Sequence, residues 1–245
     1  QTTTKFRYGS TQDTYVIFAL AMAVDAYVPE MEGVLSTTTI NGSPVVGAGP
    51  FTAQPGQELG YKVQIKNKGT ESIKNSKIVI PVPYNATYVA NSATKTVNFS
   101  PLPTPNSLTF DPTLGANGSI VWDIGTLPLP TNPNTVLAEL TFKFKTTENC
   151  ALLKNTSCDN SILVTGLMSG TGNNSLVNIA DKALIQGYTT SGNCEGTAIP
   201  TPLSIAIDAD AYIAANCQAT PTITAFTFCK EGTTIPITDR AGAFP

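Results

Sequence analysis

Hydrophobic and polar positions alternate most regularly over Gly56–Val82, GQELGYKVQIKNKGTESIKNSKIVIPV. Leu59, Tyr61, Val63 and Ile65 take every second place, and Gly60, Lys62, Gln64 and Lys66 fill those between. A period of two marks a β-strand with one buried and one wetted face. Asn67-Lys68-Gly69-Thr70 then reads as a turn, its glycine able to adopt φ > 0. Ile78 and Ile80 begin a second apolar strand, which Pro81 and Pro83 end because proline has no N–H to offer a ladder. This segment predicts the opening of an antiparallel β-sandwich.

The same alternation recurs downstream. Ile120, Trp122 and Ile124 share one face of a strand over Ser119–Leu127, and Leu140, Phe142 and Phe144 alternate with Thr141, Lys143 and Lys145. Trp122, the only tryptophan, is expected in the core between two sheets rather than as a platform for sugars. Ser161–Gly166 predicts a further strand, and Leu203–Ile213 predicts a long one. Tyr84–Ala90 either continues the second strand or begins a third. Asn41-Gly42 signals a hairpin between Thr37–Ile40 and Val45-Val46. The apolar run Tyr15–Val24 is read as a long buried strand closed by Asp25 and Pro29, with a helix, favoured by Ala19–Ala23, as the alternative. Asn98–Asp111 reads as a loop, Ser169–Ser175 as a turn region and Ile199–Pro202 as a linker. No long amphipathic helix is visible, so the class is all-β.

Composition narrows the setting. Of 245 residues, 41% are apolar, enough to bury a core, but only 13% are charged, about half the usual share. Thr, Asn, Ser and Gly must supply the polar surface, as in many extracellular β proteins. The net charge of −3 and the lack of a basic stripe argue against nucleic acid or anionic lipid as a partner. The chain has no histidine, which excludes Ser-His-Asp and Cys-His catalysis and His-containing zinc sites.

The cysteines are Cys150, Cys158, Cys194, Cys217 and Cys229. None has C-x-x-C spacing, so disulfides in an oxidising compartment fit better than zinc. The expected pairs are Cys150–Cys158 and Cys194–Cys217, each closing a local loop, with Cys217–Cys229 as the rival. Cys229 is then left free or pairs outside the chain. Tyr15–Val24 is too short to span a bilayer and lacks the basic flank of a secretory signal. An N-terminal Gln suits a chain whose signal has been removed, or an internal piece.

Few constellations could carry chemistry. The glycines of Val45–Gly49 lead to Pro50 and Pro55 rather than to a helix, which removes a phosphate-binding reading. Asp208 and Asp210 would share a strand face, but no D-x-D-x-D-G loop completes a calcium site, and a solvated face is expected. Glu30 and Glu32, with Asp25, receive the same reading. Asp111, Asp123 and Glu139 offer carboxylates for a glycosidase, yet no spacing selects a pair. Lys62, Lys66 and Lys143 are candidates for Lys–Asn cross-links by strand position alone. Tyr84, Tyr188 and Tyr212 are the aromatics that could meet a ligand. Sequons at Asn41, Asn85, Asn98, Asn117, Asn155 and Asn173 read as Asn/Thr-rich loops. No catalytic residue, metal site or cofactor is expected.

The assembled motifs are familiar. Gly56, Leu59, Tyr61, Val63, Ile65, Asn67 and Gly69, then Trp122, Ile124, Gly125 and Leu127, then Leu140, Phe142 and Phe144 form a pattern. It resembles a repeat domain of unknown function found in large bacterial surface proteins. The resemblance covers residues 50–170 and implies an immunoglobulin-like antiparallel sandwich. The flanking segments YGSTQDTYVIF and IQGYTTSGNC are similar to those of multi-domain, adhesin-like proteins of Bacteroidota. Such proteins are commonly exported by the type IX route, and some are carried by gliding cells. The expected organisation is an N-terminal strand segment over 1–45, ending a preceding module; a sandwich over 46–198; and the start of a following module over 199–245. The expected function is that of a non-catalytic, extracellular adhesin or stalk module at the cell surface. It would meet other modules of its own kind and an unidentified glycan or protein receptor, and its edge strands could self-assemble. Tyr15–Val28 is a candidate donated strand. The alternative is a carbohydrate- or ligand-binding accessory domain of a secreted enzyme.

Overall fold

The computed structural model describes residues 26–47, 49–155, 160–191 and 194–217, with isolated positions before residue 13. The strand expected over Tyr15–Val24 lies outside these residues, as do Cys158 and Cys229.

In chain order the strands begin with β1 (Met31–Ile40), β2 (Ser43–Pro44), β3 (Phe51–Ala53), β4 (Glu58–Asn67), β5 (Ile73–Pro81) and β6 (Ala86–Tyr88). Next come β7 (Thr94–Val97), β8 (Ser107–Asp111), β9 (Ser119–Leu127) and β10 (Ala138–Thr146), then a single helical turn, α1 (Cys150–Leu153). The chain continues through β11 (Ser161–Val164), β12 (Leu167–Gly172), β13 (Asn178–Ala183), β14 (Ile185–Ser191), β15 (Cys194–Pro200), β16 (Leu203–Ile207) and α2 (Asp210–Asn216).

Two sheets form the body. The larger runs β15-β14-β1-β4-β10-β6, with β2 on β1 and β7 on β10; the other runs β13-β12-β5-β9-β8. A small third sheet, β11-β16-β3, completes the fold. Pairing is antiparallel except between β1 and β14 and between β3 and β16. The protein is therefore an all-β, immunoglobulin-like sandwich, as the alternation and the resemblance predict.

The predicted alternation becomes the core. Leu59, Tyr61, Val63 and Ile65 of β4 are fully buried, as are Leu140 and Phe144 of β10 and Ile78 and Ile80 of β5. Trp122 is fully buried between the sheets, and its indole N–H donates to Asn106 Oδ1 at 2.9 Å. Tyr61 stacks on Phe142 with ring centroids 5.4 Å apart. Burial pushes the Tyr61 phenol well up from its usual pKa, and its hydroxyl has no hydrogen-bond partner among the described residues.

Turn chemistry works where it is local. Asn41 and Gly42 both take positive φ, 49° and 79°, the geometry of a tight hairpin turn. The returning strand is Ser43–Pro44, and the expected Val45-Val46 lies past it, with Val46 exposed. Asn67–Thr70 carries the chain from the sheet of β4 across to the sheet of β5. Tyr84–Ala90 begins a third strand, β6, which returns to the larger sheet beside β10.

Four expectations need correction. The turn region expected over Ser169–Ser175 is strand as far as Gly172, because β12 pairs there with β5 and β13. The loop expected over Asn98–Asp111 ends in β8, because Leu108 and Phe110 alternate onto the core and pair along β9. The long strand expected over Leu203–Ile213 stops at Ile207. The alanine-rich Asp210–Asn216 that follows is a helix, with an acid in its first turn. Ala209 and Ile213, four residues apart, turn one helical face onto the core. Ile199–Pro202 is not a free linker, since β15 runs through Pro200 and only Thr201 and Pro202 separate it from β16. Strands from all three expected segments are hydrogen-bonded together: β1 to β4, and β16 to β11 and β3.

Candidate functional site

The described chain starts and stops at opposite ends of the sandwich. At one end, Val28 and Thr70 exchange hydrogen bonds, Val28 N–H to Thr70 Oγ1 at 2.9 Å and Thr70 N–H to the Val28 carbonyl at 2.9 Å. Lys68 N–H donates to the Glu30 carbonyl at 2.9 Å. Gly69 lies so close to this lead-in that a Cβ would sit 2.3 Å from the Val28 carbonyl oxygen. These residues adjoin Asn67, the last residue of β4. The outgoing chain is held at the other end of β4. Lys145 of β10 stands opposite Glu58, and Glu148 and Cys150 follow it. Cys217, just past α2, is disulfide-bonded to Cys150 across a separation of 67 residues, with Cα atoms 5.5 Å apart. Lys154 donates to the Cys217 carbonyl.

This bond corrects the local pairings Cys150–Cys158 and Cys194–Cys217. The return of β16 beside β11 lays α2 against α1, so proximity in space overrides proximity in sequence. Asn149 caps α1, accepting from Ala151 N–H at 2.9 Å. Cys194 begins β15.

The N-terminal pole also holds a feature that sequence reading missed. Glu71, only 1% exposed, accepts from Asn174 N–H at 2.5 Å, from Ser175 N–H at 3.1 Å, and from the Ser175 hydroxyl. Burial acts to raise its pKa, but these donors outweigh it and the net shift is downward. Nothing local signals this contact, because the partners are 103 and 104 residues away.

Glu32, of the expected acidic cluster, is buried on the outer side of β1. It takes an ion pair from Lys66 at 3.0 Å and a hydrogen bond from the Tyr188 hydroxyl. Burial raises its pKa, and the bonds from Tyr188 and Lys66 more than offset that, leaving it lowered. Glu30 is exposed, and Asp25 lies outside the described residues. The other cross-link candidates also face carboxylates rather than asparagines: Lys62 is 3.8 Å from Glu139 and Lys143 is 3.0 Å from Glu58.

The remaining carboxylates do not converge. Asp111 and Asp123 stand at opposite ends of the β8–β9 ladder, and Glu139 is on the other sheet, bonded to Gln64 at 2.7 Å. Hydrogen bonds from the Thr113 hydroxyl and N–H hold Asp111 in a turn and lower its pKa. Asp208 and Asp210 do not share a strand face: Asp208 follows β16 and its N–H donates to the Ala53 carbonyl, while Asp210 opens α2. Among the described residues, no three Cys, Asp or Glu side chains gather as metal ligands. Asn85, in one sequon, is buried and donates to the Ser161 carbonyl at 2.7 Å.

The three tyrosines disperse. Tyr188 lies over Glu32, Tyr212 reaches the Glu148 carbonyl at the C-terminal pole, and Tyr84 stands 44% exposed on a flank. Near Tyr84 are two aromatics that sequence reading passed over. Tyr88 of β6 and Phe110 of β8 stack with centroids 4.6 Å apart at 21°. They bridge the outer edges of the two sheets and separate two open hollows of about 450 and 410 Å³. The signal for Phe110 was present in the alternation Leu108, Phe110.

No protein-family model matches the chain, and no curated protein matches it by sequence. Among solved structures it is similar to the full-length major pilin SpaD of Corynebacterium diphtheriae, at 11% identity and a TM-score of 0.39, over 69% of this chain and 39% of that one. It is also similar to the C-terminal fragment of the major pilin GBS80 of Streptococcus agalactiae, at 9% identity and 0.39, over 73% and 56%. The collagen-binding domain of a Staphylococcus aureus adhesin matches at 10% identity and 0.34, over 66% and 96%. The chain thus spans well under two thirds of both pilin structures. These likenesses are loose, and the fold assignment rests on the strand pairing itself. No helix among the described residues is long and apolar enough to cross a membrane.

Proposed function

We propose that this chain is a non-catalytic module of a secreted bacterial surface protein, serving as a stalk spacer that can also carry adhesive contacts. The observation that carries this reading is that Ala26–Val28 and Cys217, where the described chain starts and stops, lie at opposite poles of the sandwich. Tension applied there would pull β1 lengthwise out of the N-terminal pole, against nine register pairs with β4. At the other pole, the disulfide would pass the load from Cys217 to Cys150 and so to β10, which flanks β4 on its other side. Both ladders are then loaded in shear, with many hydrogen bonds sharing the force. Its partners would be neighbouring modules, with β13 and β15 as sheet edges open to strand pairing. Export by the type IX route and a link to gliding belong to this proposal through the resemblance of the flanking segments.

Stretching single molecules from both ends tests the spacer role. The oxidised module should resist load, and reduction should lengthen the released chain by about 230 Å, the extended length of the disulfide-closed loop. Opening at negligible force, or a length gain unaffected by reductant, would refute the role. Antibody labelling of intact cells tests the surface placement.

A further inference from the structure

We propose that the two hollows beside the Tyr88–Phe110 stack form one binding site for a neutral oligosaccharide. The inference rests on the surface-module reading and gives its adhesive part a ligand class. The stack stands between the outer edges of β6 and β8, and one of the two hollows reaches Thr147, Asn149 and Leu152 at the C-terminal pole. Tyr88 and Phe110 line both hollows, so a ligand longer than one ring would cross the aromatic ridge from one to the other. Each hollow falls within the span of about 300–1,000 Å³ usual for small-molecule sites.

The lining chooses the chemistry. None of the described residues bordering either hollow is Lys, Arg, Asp or Glu, so an ionic ligand would meet no counter-charge from them. Tyr84, Tyr88 and Phe110 offer aromatic surface of the kind that covers the C–H face of a sugar ring. Asn117, Asn91 and Thr87 place amides and a hydroxyl around it, as donors and acceptors for sugar hydroxyls. A buried apolar peptide anchor would call for a deeper and less polar pocket.

The test uses the whole chain on an array of neutral, sialylated and sulfated oligosaccharides, followed by titration of any hit. Neutral glycans should be retained, and Tyr84→Ala should weaken the titrated hit about tenfold at a temperature where the variant is fully folded. Tyr27→Ala, 59% exposed at the N-terminal pole, should leave binding intact. Retention of acidic glycans alone, no retention at all, or equal binding by Tyr84→Ala would overturn the proposal. The spacer reading would survive any of these, because the stretching experiment measures it separately.

Discussion

The two poles solve the same problem by different means. At the N-terminal pole the incoming chain is held without covalent help: the Val28–Thr70 exchange, the Lys68–Glu30 bond, and the buried Glu71 that ties the neighbouring turn of β12 and β13. At the C-terminal pole the outgoing chain is bonded covalently to the body through Cys150 and Cys217. Hydrogen bonds open and close locally with little penalty, whereas a disulfide constrains the unfolded chain as well. The first pole should therefore fray first and the second should persist until the core itself opens.

Removing the disulfide should have the largest effect on this contrast. The double substitution Cys150→Ser/Cys217→Ser should lower unfolding free energy by about 4 kcal/mol for a loop of this length, read by denaturant titration. Hydrogen exchange should then show α2 opening as readily as residues 26–30. If α2 stays protected, the covalent clamp is not what distinguishes the poles.

Gly69→Ala acts at the other pole. Its Cβ would meet the Val28 carbonyl and the Glu30 amide, and overpacking of this kind costs about 1–3 kcal/mol. Exchange should rise at residues 26–30 and stay unchanged around Cys217. A uniform loss of stability would blur the distinction between the ends.

Tyr61 lies between the poles and serves as a control. Its buried hydroxyl has no partner, so Tyr61→Phe should stabilise the fold by about 1 kcal/mol, with no bias toward either end. A loss of stability would reveal a hydroxyl contact that matters.

The smallest effect expected is that of pH. Glu71 and Glu32 have folded pKa values below the ordinary value of 4.5. Their stabilisation is present above that value and is lost as pH falls through the lowered ones. Acid should thus speed exchange at Asn174 and Ser175 while the disulfide pole holds. Lys145, beside Glu148 at the C-terminal pole, has a pKa raised above 10.5. Its contribution is complete below 10.5 and is lost only as pH rises past the raised value. Equal loosening of both poles in acid would contradict this assignment.

Much of the sandwich was legible from alternation alone. β4, β9 and β10 lie where the two-residue period places them, and Trp122 is in the core. Their inward side chains repeat within a few residues, and burying that face is the main force that makes each strand. Leu203–Ile213 was misread because Ile205 and Ile207 set a strand period that alanine-rich Asp210–Asn216 then breaks. Two apolar spacings overlap at Ala209, and only packing decides between them.

Local chemistry therefore determined that β4, β9 and β10 became strands, where Asn41-Gly42 turned, and which of those strands' faces were apolar. Tertiary structure alone decided that Cys150 meets Cys217, that Glu71 is sealed by a turn a hundred residues away, that Tyr88 stacks on Phe110, and that Val28 and Cys217 fall at opposite poles. The reason is physical: periodicity reports the environment a segment needs, whereas long-range partners are chosen by how the sheets stack and cross, which no short window of residues encodes.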